Sequence, residues 1–157
     1  MVRAMATAIL FSWTLAVEAL AADVLIFGAT RNTGLETAKI LVERGDSVAA
    51  FVRETSDVTA LKGLSVTLVT GDALDAPSVS AAFVGRSYDA VVSTLSGSVR
   101  NTAVDSQGNI NVFMAAEKAG VKRLVLVTAI GAGGTDGVLQ EGARRFLKPV
   151  FDAKTQA

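Results

Sequence analysis

The chain has no cysteine and no histidine, and only two prolines, one tryptophan and one tyrosine among its 157 residues. Without cysteine there is neither a disulfide framework nor a thiol nucleophile, and without histidine the Ser-His-Asp arrangement and the usual zinc ligand sets are removed as well. An excess of charge is missing too. Fifteen Lys and Arg balance fifteen Asp and Glu, so the basic surplus of a general nucleic-acid binder is absent. No internal repeat, charge run or low-complexity tract interrupts the chain. Any chemistry therefore falls to hydroxyls, carboxylates, amines or a bound cofactor.

Half of the residues are apolar, enough for one domain with a substantial core and too few residues for two ordinary domains. The first 21 residues read differently from the rest. Arg3 precedes an apolar stretch from Ala4 to Val17, and Glu18 and Ala19-Leu20-Ala21 follow it. A short basic start, an apolar run and an A-x-A end are the parts of a secretory signal, with cleavage expected after Ala21 and export as the consequence. The alternatives are an extra N-terminal helix or an overextended gene start, with the protein remaining cytoplasmic. The stretch is marginal for a membrane span, which needs about 20 apolar residues.

From Asp23 to Leu35 the chain reads DVLIFGATRNTGL. The run Val24-Leu25-Ile26-Phe27 is continuous rather than alternating, as expected of a parallel strand covered on both faces. Gly28 then permits a tight turn, and Thr30, Arg31, Asn32, Thr33 and Gly34 lead into a helical pattern. Unpaired N–H groups and the dipole at such a helix start favour a phosphate. Leu35, Ala38, Ile40, Leu41 and Val42 are the expected apolar face of that helix, with Gly45 as its stop. Ser47 to Val52 is the second strand, which completes a βαβ unit of about 30 residues with the two strands parallel and adjacent.

The remaining pattern repeats the alternation. A short helix is expected around Ser56 to Lys62, a third strand over Val66 to Thr70, a helix over Ala76 to Val84 and a fourth strand over Tyr88 to Thr94. A long helix follows from Thr102 to Ala119, with Val104, Ile110, Phe113 and Met114 as core candidates. Leu124 to Thr128 reads as a buried fifth strand. A glycine-rich loop from Gly131 to Gly137 leads to a last helix, Val138 to Lys154. Five strands alternating with helices predict a Rossmann-like doubly wound α/β fold with the parallel order 3-2-1-4-5, and a ligand crevice between strands one and four at their carboxyl ends.

Arg53 ends the second strand about 20 residues after the turn, where NAD-specific folds usually carry an acid for the ribose. An arginine there suits a 2′-phosphate, which it can grip with two charge-assisted hydrogen bonds. NADP(H) is therefore expected in preference to NAD(H). The alternative is a solvated residue opposite Glu54 and Asp57.

The turn GATRNTG and the string VDSQGNINVFMAAEKAGVKRLVLVTAIGAG resemble the atypical short-chain dehydrogenase/reductase family, the group of NmrA-like proteins and biliverdin-IXβ/flavin reductases. The resemblance runs from Asp23 to the C-terminus, with Arg31 replacing the middle glycine of the family's GATGxxG loop. It implies a dinucleotide on Gly28 to Gly34 and an adenine beside Asp72 and Ala73. After Thr94 the small-residue bend Leu95-Ser96-Gly97 would let the backbone approach a nicotinamide ribose, and the resemblance implies a substrate hydrogen bond from Thr128. Arg31 either lies beside an adenosine phosphate or projects into solvent.

The tyrosine-using branch of these enzymes relies on Y-x-x-x-K. Here the only tyrosine is Tyr88, and Phe151 with Thr155 stands at a comparable late spacing, so a Tyr-Lys mechanism is excluded. Hydride transfer to a small conjugated acceptor, such as a flavin or quinone, remains feasible with a solvent proton. A non-catalytic redox sensor or a truncated pseudoenzyme is the other reading. Family members usually continue past the last helix into a substrate-binding part, which is expected to be missing from residues 22–157. The fifth strand would then have an open edge that a partner, a second copy or the N-terminal segment covers.

Overall fold

The computed structural model describes residues 21–157. The expected export segment, residues 1–21, lies outside the described residues except for Ala21. Five parallel strands form one sheet: β1 (Asp23–Phe27), β2 (Ser47–Val52), β3 (Val66–Thr70), β4 (Ala90–Ser93) and β5 (Arg123–Leu126). Their order is β3-β2-β1-β4-β5, the doubly wound arrangement that the alternating pattern predicts. The helices are α1 (Asn32–Glu43), α2 (Thr59–Lys62), α3 (Ala76–Ala81), α4 (Asn109–Lys118) and α5 (Glu141–Gln156). An extended segment, β6 (Ile130–Gly133), and one 3₁₀ turn (Asp136–Val138) lead into α5.

The unbroken apolar run of β1 is explained by its two faces. Leu25 and Phe27 point into one core with Phe51, Val79, Phe83, Val91, Val112 and Ala116, on the side of α3 and α4. Val24 and Ile26 point into a second core with Ala38, Val48, Ala50, Val52 and Leu61, on the side of α1 and α2. Because successive strand residues face opposite ways, a strand sandwiched between helices has no position left for a polar side chain. Phe27 and Phe51, neighbours in the β1–β2 register, stack with ring centroids 4.6 Å apart.

Helix α1 ends as its glycine predicts. Gly45 has φ +89° and donates to Val42 O, while Asp46 donates to Leu41 O, the paired bonds of a Schellman stop. Of its expected apolar face, Ala38 is buried and Leu35, Leu41 and Val42 pack on the second core, but Ile40 is exposed. Ile40 lies off the i, i+3 stripe that runs through positions 35, 38 and 41.

Three further expectations are corrected. The long helix over Thr102 to Ala119 is not uniform: it opens with a π-helical turn over Val104–Gly108 before α4. There Asn109 donates its side-chain amide to Asp105 O at 2.9 Å, and Gly108 packs so tightly that a Cβ would stand 2.9 Å from Val104 Cγ2. Met114, an expected core residue, is 66% exposed, and Val112, Ala115 and Ala116 form the buried face instead. Strand β5 is parallel to β4 but not buried. It ends the sheet among the described residues, and its Leu124 and Val125 are 39% and 49% exposed. An edge strand has only one neighbour, so half of its cover has to come from elsewhere.

Candidate functional site

At the carboxyl ends of the strands, where β1 and β4 part to opposite helices, a groove of about 950 Å³ opens. One wall is the turn after β1. Gly28 has φ +87°, a conformation that side chains disfavour, and a Cβ there would lie 2.6 Å from Thr94 Oγ1. A Cβ on Gly34 would collide with the carbonyl oxygen of Gly28. Thr94 completes the knot by donating its hydroxyl towards Phe27 O and Gly28 O, each at 3.1 Å. The two glycines thus let the chain cross itself against β4, with no volume left for side chains.

Arg31 occupies the N-cap of α1 in an extended conformation, and no side chain caps that helix. Asn32 takes a left-handed φ of 49°, tolerated by asparagine better than by most residues. First-turn N–H groups are consequently left for a ligand at the groove wall.

Every residue singled out from the sequence lines this one groove: Gly28, Thr30, Arg31, Asn32, Thr33, Gly34, Arg53, Asp72, Ala73, Thr94, Leu95, Ser96 and Thr128. Arg31 and Arg53 are both exposed there, and neither has a carboxylate within 4.0 Å among the described residues. Arg53 forms no ion pair with Glu54 or Asp57 and stands exposed at the groove, a placement common to the solvated and the phosphate-binding readings. Asp57 instead accepts the N–H of Thr59 at 2.9 Å, and that bond, with the Thr59 hydroxyl and the Lys62 charge, holds its carboxyl below the usual range. Asp72 accepts the N–H of Leu74 at 2.9 Å, so it shapes the turn after β3 while lining the groove.

Thr128 stands two residues beyond β5 rather than finishing it, exposed in the connection to β6. A β-branched residue ending a buried strand is therefore not its situation. The late Y-x-x-x-K spacing also needs correction. Phe151 is buried against Gly131, and Thr155 donates to Phe151 O while accepting from Gly133 N. The residues at that spacing which line the groove are Val150 and Lys154. At that spacing the groove therefore has a lysine and, four residues before it, a valine that offers no hydroxyl.

Sequence reasoning missed the polar floor beneath the groove. Lys154 is 7% exposed and Asp105 fully buried, with Lys154 Nζ 3.2 Å from Asp105 Oδ1 in an ion pair that lacks hydrogen-bond alignment. Asp105 Oδ2 accepts the Gly97 N–H at 2.8 Å, and Lys154 donates to Leu95 O at 2.9 Å and towards Val127 O at 3.5 Å. Beside it, buried Ser93 donates to Asn109 Oδ1 at 2.5 Å, and Asn111 donates to Ala73 O at 2.9 Å. The only sequence signal was the polar string Asp105-Ser106-Gln107-Gly108-Asn109 within an otherwise apolar helical pattern.

The glycine-lined wall, the uncapped helix and two unpaired arginines fit a dinucleotide phosphate chain. The sequence pattern of a family described as NAD(P)H-binding matches residues 28–157. The chain belongs to this NAD(P)H-binding family. Among its relatives, sterol demethylase protein B of Methylococcus capsulatus is 37% identical over 115 residues, 70% of this chain and 35% of that protein. The structure of ChuY from Escherichia coli O157:H7, described as an anaerobillin reductase, has a TM-score of 0.73 at 31% identity, covering 85% of this chain and 64% of that one. WbmH of Bordetella bronchiseptica, solved in complex with NAD+, has a TM-score of 0.62 at 30% identity, covering 72% and 41%. This NAD(P)H-binding chain thus spans about a third of the length of the curated relative and about two thirds of ChuY.

Proposed function

We propose that this domain is the nucleotide-binding part of an NADP(H)-dependent oxidoreductase that reduces a small conjugated acceptor such as a flavin, a quinone or a linear tetrapyrrole. The observation that carries the cofactor preference is the pair Arg31 and Arg53, exposed on one groove without carboxylate partners among the described residues. Two uncompensated guanidinium groups suit an extra phosphate on the adenosine ribose. The relative described as an anaerobillin reductase supports an extended conjugated acceptor.

The chain's own residues divide the work. Gly28 and Gly34 let the backbone approach the phosphates, and the first turn of α1 donates N–H groups to them. Thr128 offers a hydroxyl to the acceptor at the β4–β5 end of the groove. Bound NADPH supplies the hydride. With valine at position 150 no tyrosine proton donor stands there, so the proton comes from solvent, which reaches the groove freely.

Titration with NADPH and NADH, followed by NADPH oxidation assays on flavin, quinone and tetrapyrrole acceptors, tests the reading. Tighter NADPH binding with turnover on one acceptor class is expected. Equal affinity for the two cofactors would overturn the assignment of Arg53. Binding without turnover would favour the second reading, a non-catalytic sensor of the cofactor ratio, for which the favouring observation is that Val150 and no tyrosine stands four residues before Lys154 on the groove.

A further inference from the structure

The buried ion pair under the groove is unused by the proposed chemistry. A lysine ammonium carries three N–H donors, and three protein acceptors surround this one: Leu95 O, Val127 O and Asp105 Oδ1. Leu95 and Gly97 belong to the chain leaving β4, Val127 to the chain leaving β5, Asp105 to the π-helical turn and Lys154 to α5. Four segments thus meet on two charges. A buried pair of this kind is weak evidence for stability, because desolvation offsets most of the attraction. What it does provide is a single geometry for the groups it holds.

We propose that Lys154 and Asp105 form a clamp that fixes the separation of the β4 and β5 ends and so couples the seating of α5 to dinucleotide binding. The residues it fixes, Leu95, Gly97 and Val127, themselves line the groove. A nucleotide that rests on them favours the clamped arrangement, and by linkage the clamped arrangement favours the nucleotide. Lys154 is a positioning residue here. The inference rests on the NADP(H) reading of the groove.

The test uses the full chain. Lys154→Met alone strands a buried carboxylate, so the binding variant is the double change Lys154→Met with Asp105→Asn, which removes both charges and keeps an acceptor for the Gly97 N–H. Its NADPH dissociation constant is expected to rise at least tenfold, while the ratio of NADPH to NADH affinity, set at Arg53, stays unchanged. In the wild-type protein, hydrogen exchange with and without NADPH reads the coupling directly. Added protection across α5 and at Gly97 is expected, and its loss in the double variant. Unchanged affinity in a folded double variant, or no protection of α5 in the wild type, would overturn the clamp. The exchange measurement decides the matter if the variant does not fold. A wild-type chain that binds neither nucleotide would overturn the NADP(H) reading, and the clamp with it.

Discussion

The two ends of the groove are built on opposite principles. At the β1 end the wall is backbone, shaped by Gly28, Gly34 and one hydroxyl from Thr94, with no room for a side chain. At the β4–β5 end it is held by side chains, above all by two opposite charges buried under Leu95 and Val127. A backbone wall tolerates no change in volume but is indifferent to charge. A side-chain wall accepts changes in shape and fails when its charges are unbalanced. The comparison explains why one end is mostly a run of seven residues tied down by the single hydroxyl of Thr94, while the other is gathered from Leu95, Asp105, Val127 and Lys154.

The largest effect should come from unbalancing the charged end. Lys154→Met is expected to cost about 3–5 kcal/mol, the usual cost of stranding a buried charge, and adding Asp105→Asn should restore most of it. Urea denaturation measures both, and additive losses would show that the two residues act independently. At the backbone end, Gly34→Ala should cost about 1–3 kcal/mol by overpacking against Gly28 O and abolish nucleotide binding, whereas Gly137→Ala, which meets open space, should change neither. Thermal melts and NADPH titration of the two variants separate these outcomes.

Beyond the two walls, Arg53→Glu should weaken NADPH far more than NADH, by about 1.5–3 kcal/mol for one charge-assisted contact. Parallel titrations decide it. The smallest effect is expected at Asp46, remote from the groove. The Ala22 N–H, bonded at 2.9 Å, and the Arg44 guanidinium hold its carboxyl below the ordinary range. A lowered native pKa contributes stability above the unfolded value of about 3.9 and loses it as pH falls through the native one. The melting-temperature gap between wild type and Asp46→Asn should therefore be present at pH 7 and close on acidification below about pH 4.

Legibility followed the same division. The strand order, β3 to the residue, and the groove lining from Gly28 to Gly34 were readable because each depends on short-range signals: a run buried on both faces, a glycine at a fixed offset, a βαβ length. Exposure of Met114 was not readable, since an apolar residue on the outer face of a helix looks like one in a core, whereas the open edge of β5 follows from its place as the last strand. The π-helical turn at Val104–Gly108 and the shift of Thr128 beyond β5 depend on what packs behind them. The sequence does not distinguish Lys154 from Thr155, because one position along a helix rotates a side chain by about 100°, and only the docking of α5 says which face meets the groove.

The sequence by itself determined the doubly wound class, the glycine turn and the presence of two arginines at strand and helix ends, because backbone sterics and hydrophobic periodicity act locally and leave a local trace. Only the tertiary structure decided that those arginines stand without carboxylate partners among the described residues and that Lys154 and Asp105 meet beneath the groove. Buried charges are positioned by contacts across the fold, and their partners leave no mark on the residues beside them in the chain.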